Sequence, residues 1–496
     1  MNATSPTLPK RLHVIGICGV ATSALAIAFQ KKGVIVSGSD KGFYPPVSTE
    51  LEKHDIDFYA GWHPEKMFGG DFEGGIVMIG AAAGSRNPET EYARQNNIPT
   101  YSYPEIIGRF MAKEKSIVCA GTWGKTSSSA LFSFILEQAG LDPAYMFGGI
   151  SLSHDSSAKL TDSNISVFEG DEYKSSPTDS RAKFFHYKAT HLLLTAVSWD
   201  HADLYPTEKD YLRAFEQLIK SMPDNGLIVA CRDRENIEEM LQSFKGKSLV
   251  FYGREMPKAE TLPNFYGYKN VRQSKDGLKL TIIHDGQEFE ITSPLLGLYQ
   301  AENITGCFAL ACSLGISTDK TIQAISLFQG LKRRMEKRLE GNITIIDDIA
   351  HSPEKASSVL GTLRSIYTGK IITVFEPNIG GRSRESVVKY DEAFVDSDIV
   401  IIPRLTKLKV ISKKIDSETV FGANAKEDEQ PMEGDELAKV IGKTHPQVNY
   451  IDDDKALIDF LVSNAKKDDV IAFLGSHGFR GMIEETVTSL RRLFQS

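Results

Sequence analysis

Short apolar runs alternate with helical stretches from one end of this chain to the other. The first block opens on the apolar residues 12–20 and continues into an apolar helix that runs through Phe29. A second strand, residues 34–40, ends on Asp40, so the block reads as β–α–β. A further strand at 76–79 and a loop at 81–89 complete an α/β unit that ends near Met111. The second block carries apolar strands at 165–168, 191–195, 227–230 and 248–252, with a helix at 209–221. Residues 275–293 alternate about a turn at Asp285-Gly286 and predict a hairpin, and helices at 301–314 and 320–328 follow. After Lys332-Arg333-Arg334 a third block repeats the theme. Its strands fall at 343–346, 371–375, 399–402 and 470–474, separated by helical segments, which predicts another parallel α/β domain. The acidic stretch 427–436 reads as a solvated loop.

A length of 496 residues suits about three domains. With 41% hydrophobic and 25% charged residues the chain has the composition of an ordinary globular protein. The net charge of −8 argues against nucleic-acid binding, which needs a basic surface. No apolar run approaches the ~20 residues that span a bilayer. The polar segment 1–9 lacks the pattern of a secretory signal. The five cysteines, Cys18, Cys119, Cys231, Cys307 and Cys312, show no ligand spacing, and Cys307 and Cys312 read as core residues of one helix. A reduced, cytoplasmic protein with no membrane partner is the expectation, either monomeric or homodimeric.

The most informative chemistry lies at residues 117–136. Ile117-Val118 predict a strand, Gly121-Thr122-Trp123-Gly124-Lys125-Thr126-Ser127 a tight loop, and the apolar residues from Ala130 a helix. Glycines let backbone N–H groups turn toward an anion, and the helix N-terminus adds a favourable dipole. Lys125 supplies a point charge for the outer phosphates and Thr126 a hydroxyl for Mg²⁺. The loop is the short Gly-Thr-x-Gly-Lys-Thr form, since Cys119 stands where the longer phosphate loop has its first glycine. A nucleoside triphosphate is therefore the leading ligand. The first block has Gly16 and Gly19 but lacks a third glycine, so a dinucleotide-dependent dehydrogenase is the weaker reading.

Two acidic clusters follow strands in the same block. Glu169-Gly170-Asp171-Glu172-Tyr173 offers oxygen ligands for Mg²⁺, and Trp199-Asp200-His201-Ala202-Asp203 offers a histidine for a second metal or for the γ-phosphate. Strand ends favour polar caps in any case. It is the company of the phosphate loop that turns both clusters toward function.

Taken in order, the phosphate loop, Glu169-Gly-Asp-Glu172, Asp200-His-Ala-Asp203 and Asp347-Asp348-Ile349-Ala350-His351-Ser352-Pro353 resemble the motif set of the Mur ligases. The resemblance runs from Ile15 to Gly475-Ser476-His477-Gly478-Phe479-Arg480-Gly481. It implies three α/β domains. Residues 1–112 would form a Rossmann-like UDP-sugar domain and 113–334 a central P-loop ATPase-like domain. Residues 335–496 would form a Rossmann-like domain that binds the incoming amine. It also implies ATP-dependent amide formation in peptidoglycan metabolism, with ATP and Mg²⁺. Within the family, Ile15-Gly-Ile-Cys-Gly-Val20 and Ser37-Gly-Ser-Asp40 resemble the branch that takes UDP-N-acetylmuramate. One group of that branch adds L-alanine, and another adds a recovered murein tripeptide, L-Ala-γ-D-Glu-meso-diaminopimelate, during recycling. Three features resemble the tripeptide group: the run from Glu169 into Asp179-Ser-Arg-Ala-Lys-Phe-Phe-His-Tyr187, the Asp200-His-Ala-Asp203 motif, and the Gly-Phe-Arg-Gly ending.

The same resemblance implies roles. Lys125, Glu169 and His201 become the catalytic set, with Thr126, Glu169 and His201 holding Mg²⁺. Gly121, Thr122, Gly124, Ser127, Asn303, Arg334 and Asp348 join Lys125 and Thr126 in binding ATP, Asp348 at the ribose. Gly297 and Gln300 lie in the adenine motif, where Tyr299-Gln300 replace the family's His-Asn. Gly16, Cys18, Gly19, Asp40, His63 and Asn87 line the UDP-sugar site. His351, Arg382 and Arg384 face the amine substrate, the two arginines as forks for its carboxylates. The alternative for that pair is two solvated loop arginines. Trp123 stands where the family has a histidine. Glu216 lies near the place of a carbamylated lysine, although an exposed helix glutamate explains it as well. Two competing readings are a nucleotide-gated binding protein without ligase activity and a folate polyglutamate ligase. The intact loop argues against the first, and the UDP-type first block against the second.

Overall fold

The computed structural model describes residues 7–43, 47–80, 86–201, 204–234, 236–242, 248–254, 264–406 and 431–494. These residues form three sheets in two compact units. One unit comprises Met1–Val271, Lys279–Ser293 and Tyr299–Gln329, and the other Arg272–Leu278, Pro294–Leu298 and Gly330–Ser496. The three sheets correspond to the three α/β blocks expected from the sequence.

In the first unit, five parallel strands run in the order β3-β2-β1-β4-β5. They are β1 (Arg11–Ile15), β2 (Ile35–Asp40), β3 (Asp57–Ala60), β4 (Gly75–Ile79) and β5 (Thr100–Ser102). The chain reverses direction across the sheet at β1, which is where doubly wound sheets open a ligand crevice. The helix Val20–Lys31 leaves the end of β1 and buries an almost continuous apolar run. Sequence periodicity missed β3, because Asp57-Phe58-Tyr59-Ala60 is an edge strand exposed at both ends. The predicted loop at 81–89 is shorter than expected: the helix Pro88–Gln95 starts inside it, capped by Asn87, while 81–85 lie outside the described residues.

The second sheet of this unit has ten strands in the order β15-β14-β13-β12-β11-β10-β6-β9-β7-β8. Its centre is β6 (Lys115–Ala120), β9 (Ile165–Gly170), β10 (His191–Leu194), β11 (Leu227–Cys231) and β12 (Ser248–Arg254); β7 (Ala144–Met146) and β8 (Ala158–Lys159) close one edge. The other edge is the predicted hairpin, β14 (Gly277–His284) and β15 (Gln287–Ser293), preceded by the unforeseen β13 (Phe265–Ser274). The outer half of β13 alternates between half-buried and exposed positions without a strong apolar signal, so its sequence does not declare a strand. The helices Lys125–Gln138 and Gln300–Ser313 pack on this sheet and on each other. Cys307 is buried as expected, whereas Cys312 is only half-buried near the end of its helix.

The other unit holds six strands, β16 (Glu336–Leu339), β17 (Thr344–Asp348), β18 (Ile371–Glu376), β19 (Ile399–Pro403), β20 (Val448–Ile451) and β21 (Val470–Gly475), in the order β16-β17-β21-β18-β19-β20. All pairs are parallel except β16–β17. The four central strands are completely buried, as their unbroken apolar runs require. The edges β16 and β20 carry charged or polar residues and escaped the hydrophobic pattern. The acidic stretch 427–436 is not loop throughout: a helix starts at Gly434, with Asp435 and Glu436 favourably placed in its first turn, and 427–430 lie outside the described residues.

Candidate active site

The loop between β6 and the helix Lys125–Gln138 is shaped by two glycines in the left-handed half of backbone space. Gly121 has φ +141° and Gly124 has φ +79°. A Cβ on Gly121 would run into the backbone of Ala196, and one on Gly124 into the Asn303 amide oxygen. Only glycine fits either position. The segment after β10 clamps the loop. Thr122 N–H donates to the Ala196 carbonyl at 2.8 Å. The Thr122 hydroxyl donates to the Ser198 carbonyl at 2.7 Å and accepts from Ser198 N–H at 2.9 Å. The Thr195 hydroxyl donates to the Trp123 carbonyl. Thr122 is thus buried and spends its side chain on Ser198 and the Tyr211 hydroxyl, which anchor the loop, while Ser127 stands half-buried in the first helical turn. Free N–H groups of that turn remain for an anion.

Behind the loop lies a carboxylate cluster. The Thr126 hydroxyl donates to Glu169 Oε1 at 2.6 Å, and Gly148 N–H donates to Glu169 Oε2 at 2.5 Å. Burial pushes the Glu169 carboxyl above its ordinary range. Lys125 Nζ donates to both oxygens of Glu172, at 2.9 and 2.6 Å. Glu172 also accepts from the Tyr211 hydroxyl at 3.3 Å and stands 3.5 Å from His201 Nε2. The hydrogen bond to Glu172 is the main reason that His201 is raised above the usual histidine value. His201 sits at φ 55°, where its carbonyl accepts from Leu204 and Tyr205 N–H, both at 2.8 Å. Lys125 and His201 therefore meet at Glu172, while Thr126 meets Glu169. Glu172 belongs to the quoted acidic motif but was not singled out from sequence. Its place beside Lys125 is set by pairing β9 against β6, across 47 residues of chain. Asp203, the last member of the histidine motif, lies outside the described residues.

The rim of the loop is aromatic and cationic. Trp123 is 54% exposed, and the Arg234 guanidinium lies 5.9 Å from its ring centroid. Arg234 is forked onto Glu302 at 2.7 and 3.3 Å. The next residue, Asn303, is buried and donates to Gln300 Oε1 at 3.1 Å, which leaves Tyr299 exposed ahead of them. Glu216 is a half-buried helix residue 3.8 Å from Lys220, with no link to the carboxylate cluster among its described contacts.

In the same unit a cavity of about 340 Å³ opens above β1, lined by Gly16, Gly19, Asp40, Trp62, Tyr103 and Lys183, with Lys41 beside Asp40. Asp40 accepts from Cys18 N–H at 2.9 Å, so it organises the Gly16–Gly19 turn. Burial raises the Cys18 thiol to about 11, which keeps it protonated at neutral pH. His63 and Asn87 do not line this cavity with their side chains. Their common partner is Glu89, which accepts from His63 N–H at 2.8 Å and donates its own N–H to Asn87 Oδ1 at 2.9 Å. Glu89 is fully buried and also accepts from Ser39 and Tyr59 at 2.5 and 2.7 Å. Burial alone would raise this carboxyl; hydrogen bonds led by those from His13, Ser39 and Tyr59 bring it below the ordinary range.

Within the other unit, the expected nucleotide and amine residues have their own settings. Asp348 is buried and accepts from Met335 N–H at 2.7 Å and Ala350 N–H at 2.8 Å, with its carboxyl raised by burial. Arg334 is exposed, whereas its neighbour Arg333 donates to the carbonyls of Gly475, Ser476 and His477. His351 is half-buried with Nδ1 at 2.7 Å from the Ile349 carbonyl, and burial lowers its pKa. Arg382 departs from both readings offered for it, a solvated loop arginine and a fork for substrate. Arg382 is only 3% exposed and fixes the Met432 and Thr406 carbonyls at 2.9 and 3.1 Å and Glu433 at 3.2 Å. Its guanidinium is a structural clasp here. Arg384 is exposed and pairs with Glu436.

The chain matches three family models in succession: the Mur ligase catalytic domain over residues 11–115, the Mur ligase middle domain over 119–311 and the Mur ligase glutamate ligase domain over 333–477. It is 30% identical to a UDP-N-acetylmuramate–L-alanyl-γ-D-glutamyl-meso-2,6-diaminoheptandioate ligase of Haemophilus influenzae, over 74% of this chain and 80% of that one. The chain belongs to the Mur ligase family. It is an ATP-dependent ligase of peptidoglycan metabolism. A second Mur ligase relative, a UDP-N-acetylmuramate–L-alanine ligase of Acetivibrio thermocellus, is 28% identical over 96% of this chain and 95% of its own length. The Mur ligase fold is shared with the crystal structure of the UDP-N-acetylmuramate–alanine ligase of Thermotoga maritima. That similarity has a TM-score of 0.75 at 20% identity, covering 98% of this chain and 99% of the other. Among the described residues no helix is long and apolar enough to cross a membrane.

Proposed function

We propose that this Mur ligase joins UDP-N-acetylmuramate to a recovered murein tripeptide, L-Ala-γ-D-Glu-meso-diaminopimelate, at the expense of ATP. One observation carries this reading. The run from Glu169 into Asp179–Tyr187, which resembles the tripeptide-adding group in sequence, is closed on itself by a Lys174–Ala182 bridge. It delivers Lys183 to the cavity above β1. Similarity to the Haemophilus influenzae ligase supports the same choice. L-Alanine as the amine is the second reading, supported by the more extensive match to the Acetivibrio thermocellus enzyme.

In this reading, residues 1–112 take the UDP-sugar, 113–334 the ATP and 335–496 the amine. The carboxylate of the sugar is a poor acyl donor until it is phosphorylated, after which the amine attacks the acyl carbon and phosphate leaves. The loop N–H groups and Lys125 hold the transferring phosphates, and Lys125 must exchange Glu172 for them. The Thr126 hydroxyl and the Glu169 carboxylate, which touch each other, are oxygen donors that would hold Mg²⁺, and Glu172 with His201 makes a second candidate set beside Lys125. Bound Mg²⁺ offsets the repulsion between two anions that must meet. Glu172 is the shared point of the second set, since it faces both Lys125 and His201.

The experiment is phosphate release with ATP, Mg²⁺ and UDP-N-acetylmuramate while the amine is varied, with the product identified by mass spectrometry. Turnover with tripeptide and little with L-alanine is expected. The reverse result makes the second reading correct, and silence with both leaves a nucleotide-binding role.

A further inference from the structure

The cavity above β1 and the carboxylate cluster behind the phosphate loop share one side chain. Lys183 lines the cavity, yet its Nζ donates to Asp171 Oδ2 at 2.5 Å. Asp171 lies between Glu169, which holds Thr126, and Glu172, which holds Lys125. Lys183 therefore stands where the sugar side ends and the phosphate side begins. Its ammonium is also poised over two rings, 5.4 Å from the Tyr103 centroid and 5.7 Å from that of Tyr173. Tyr103 comes from the first sheet's end of the cavity and Tyr173 from the acidic motif.

Charge makes this position informative. A protein of net charge −8 lines this cavity, among the described residues, with two lysines against one carboxylate. That carboxylate, Asp40, already accepts from the backbone N–H groups of Cys18 and Lys41. A UDP-sugar acid brings its diphosphate and, at the far end, a carboxylate. Lys41 follows Asp40 at the end of β2. Lys183 alone of the two is tied to the groups around the phosphate loop. An ammonium has three N–H donors, so Asp171 leaves capacity for a second anion. Burial disfavours the charge on Lys183, but the neighbouring Asp171 carboxylate more than restores it, and the side chain stays cationic.

We infer that Lys183 receives the carboxylate of the sugar substrate and aligns it with the phosphate loop, so that it selects an acid-bearing UDP-sugar over its neutral counterpart. This rests on the proposed UDP-sugar ligase function and adds the residue that reads the reacting group. Asp171 positions Lys183, and the exchange of partners needs only a small swing of the ammonium between two carboxylates.

Direct binding tests the inference without turnover. Calorimetry compares UDP-N-acetylmuramate with UDP-N-acetylglucosamine, which lacks the lactyl carboxylate, on the full chain and on Lys183→Met and Lys183→Arg. The parent protein should prefer the acid on the order of 10-fold, as one charge-assisted hydrogen bond allows. Lys183→Met should bring the ratio to about 1 by weakening the acid alone, and Lys183→Arg should keep most of the preference. Three outcomes overturn the inference while leaving the ligase reading in place: no preference in the parent protein, an unchanged ratio in Lys183→Met, or an equal loss for both sugars in that variant. Binding of neither sugar by the parent protein removes the proposed function itself, and the inference with it.

Discussion

Glu172 grips Lys125 with both carboxylate oxygens, at 2.9 and 2.6 Å, from a fully buried position. In the proposed function, nucleotide must compete with this protein anion for the Lys125 ammonium. The same carboxylate is the main support of the charged form of His201. Glu172→Gln should let the His201 pKa fall toward its ordinary value, readable by NMR titration of the labelled imidazole. Ligase activity should drop at least about 100-fold if Glu172 also holds the metal. Lys125→Ala leaves the buried carboxylate without its cation and should cost about 3 kcal/mol of stability. Denaturant unfolding measures that cost, and the activity of the folded fraction should be lost.

Gly124→Ala places a Cβ against the Asn303 amide oxygen at a backbone angle that alanine resists. The strain alone is worth about 1 kcal/mol, and the collision adds to it. The KM for ATP should rise about 10-fold or more, with little change in the affinity for UDP-sugar. An unchanged ATP KM would mean that the loop opens before it binds.

Glu89 joins the first, second and third strands to the loop bearing His63 and to the helix capped by Asn87. Glu89→Ala strands the buried Ser39 hydroxyl and removes one of the two acceptors of the half-buried Tyr59 hydroxyl, at a cost of about 2 kcal/mol. The KM for UDP-sugar should rise while that for ATP holds. Steady-state kinetics with each substrate varied in turn separates the two.

His154 is buried among Phe134, Tyr145 and Phe147, with Nε2 3.1 Å from the Ser133 hydroxyl and Nδ1 2.8 Å from that of Ser151. Glu137 lies 3.7 Å away, and Lys159 and Asp155 also bear on it. Burial lowers its pKa from 6.5 to about 4. A histidine with a depressed native pKa takes up more protons unfolded than folded. Stability is thus unaffected above pH 6.5, falls as pH drops below it, and levels off below about 4. The loss approaches about 3 kcal/mol. In His154→Gln the slope of Tm against pH between 6.5 and 4 should flatten relative to the parent protein.

What the sequence displays, and what it hides, follows from range. Gly121, Gly124, Lys125 and Thr126 are readable because a strand, a turn and a helix N-terminus are local matters, decided within a dozen residues. The Glu172–Lys125 pair is made by sheet pairing between distant strands, and nothing in the acidic motif distinguishes Glu172 from Glu169 in advance. Lys183 looked like one residue of an insertion until the cavity appeared beside it. Arg382 misled because an arginine between glycine and serine reads as solvent-facing. Only the packing of Met432 and Thr406 around it reveals a buried clasp. The edge strands β3, β16 and β20 hid for a related reason: half of each is wet, so hydrophobic alternation is weak.

Trp123, exposed in the glycine loop, gives the enzyme a built-in optical probe. The chain has three tryptophans, and all stand at the candidate sites: Trp62 on the cavity wall, Trp123 in the glycine loop before Lys125 and Trp199 two residues before His201. If the proposed sites are right, intrinsic fluorescence of the unlabelled protein follows sugar and nucleotide loading as separate optical events, once single tryptophan-to-phenylalanine replacements have assigned each signal.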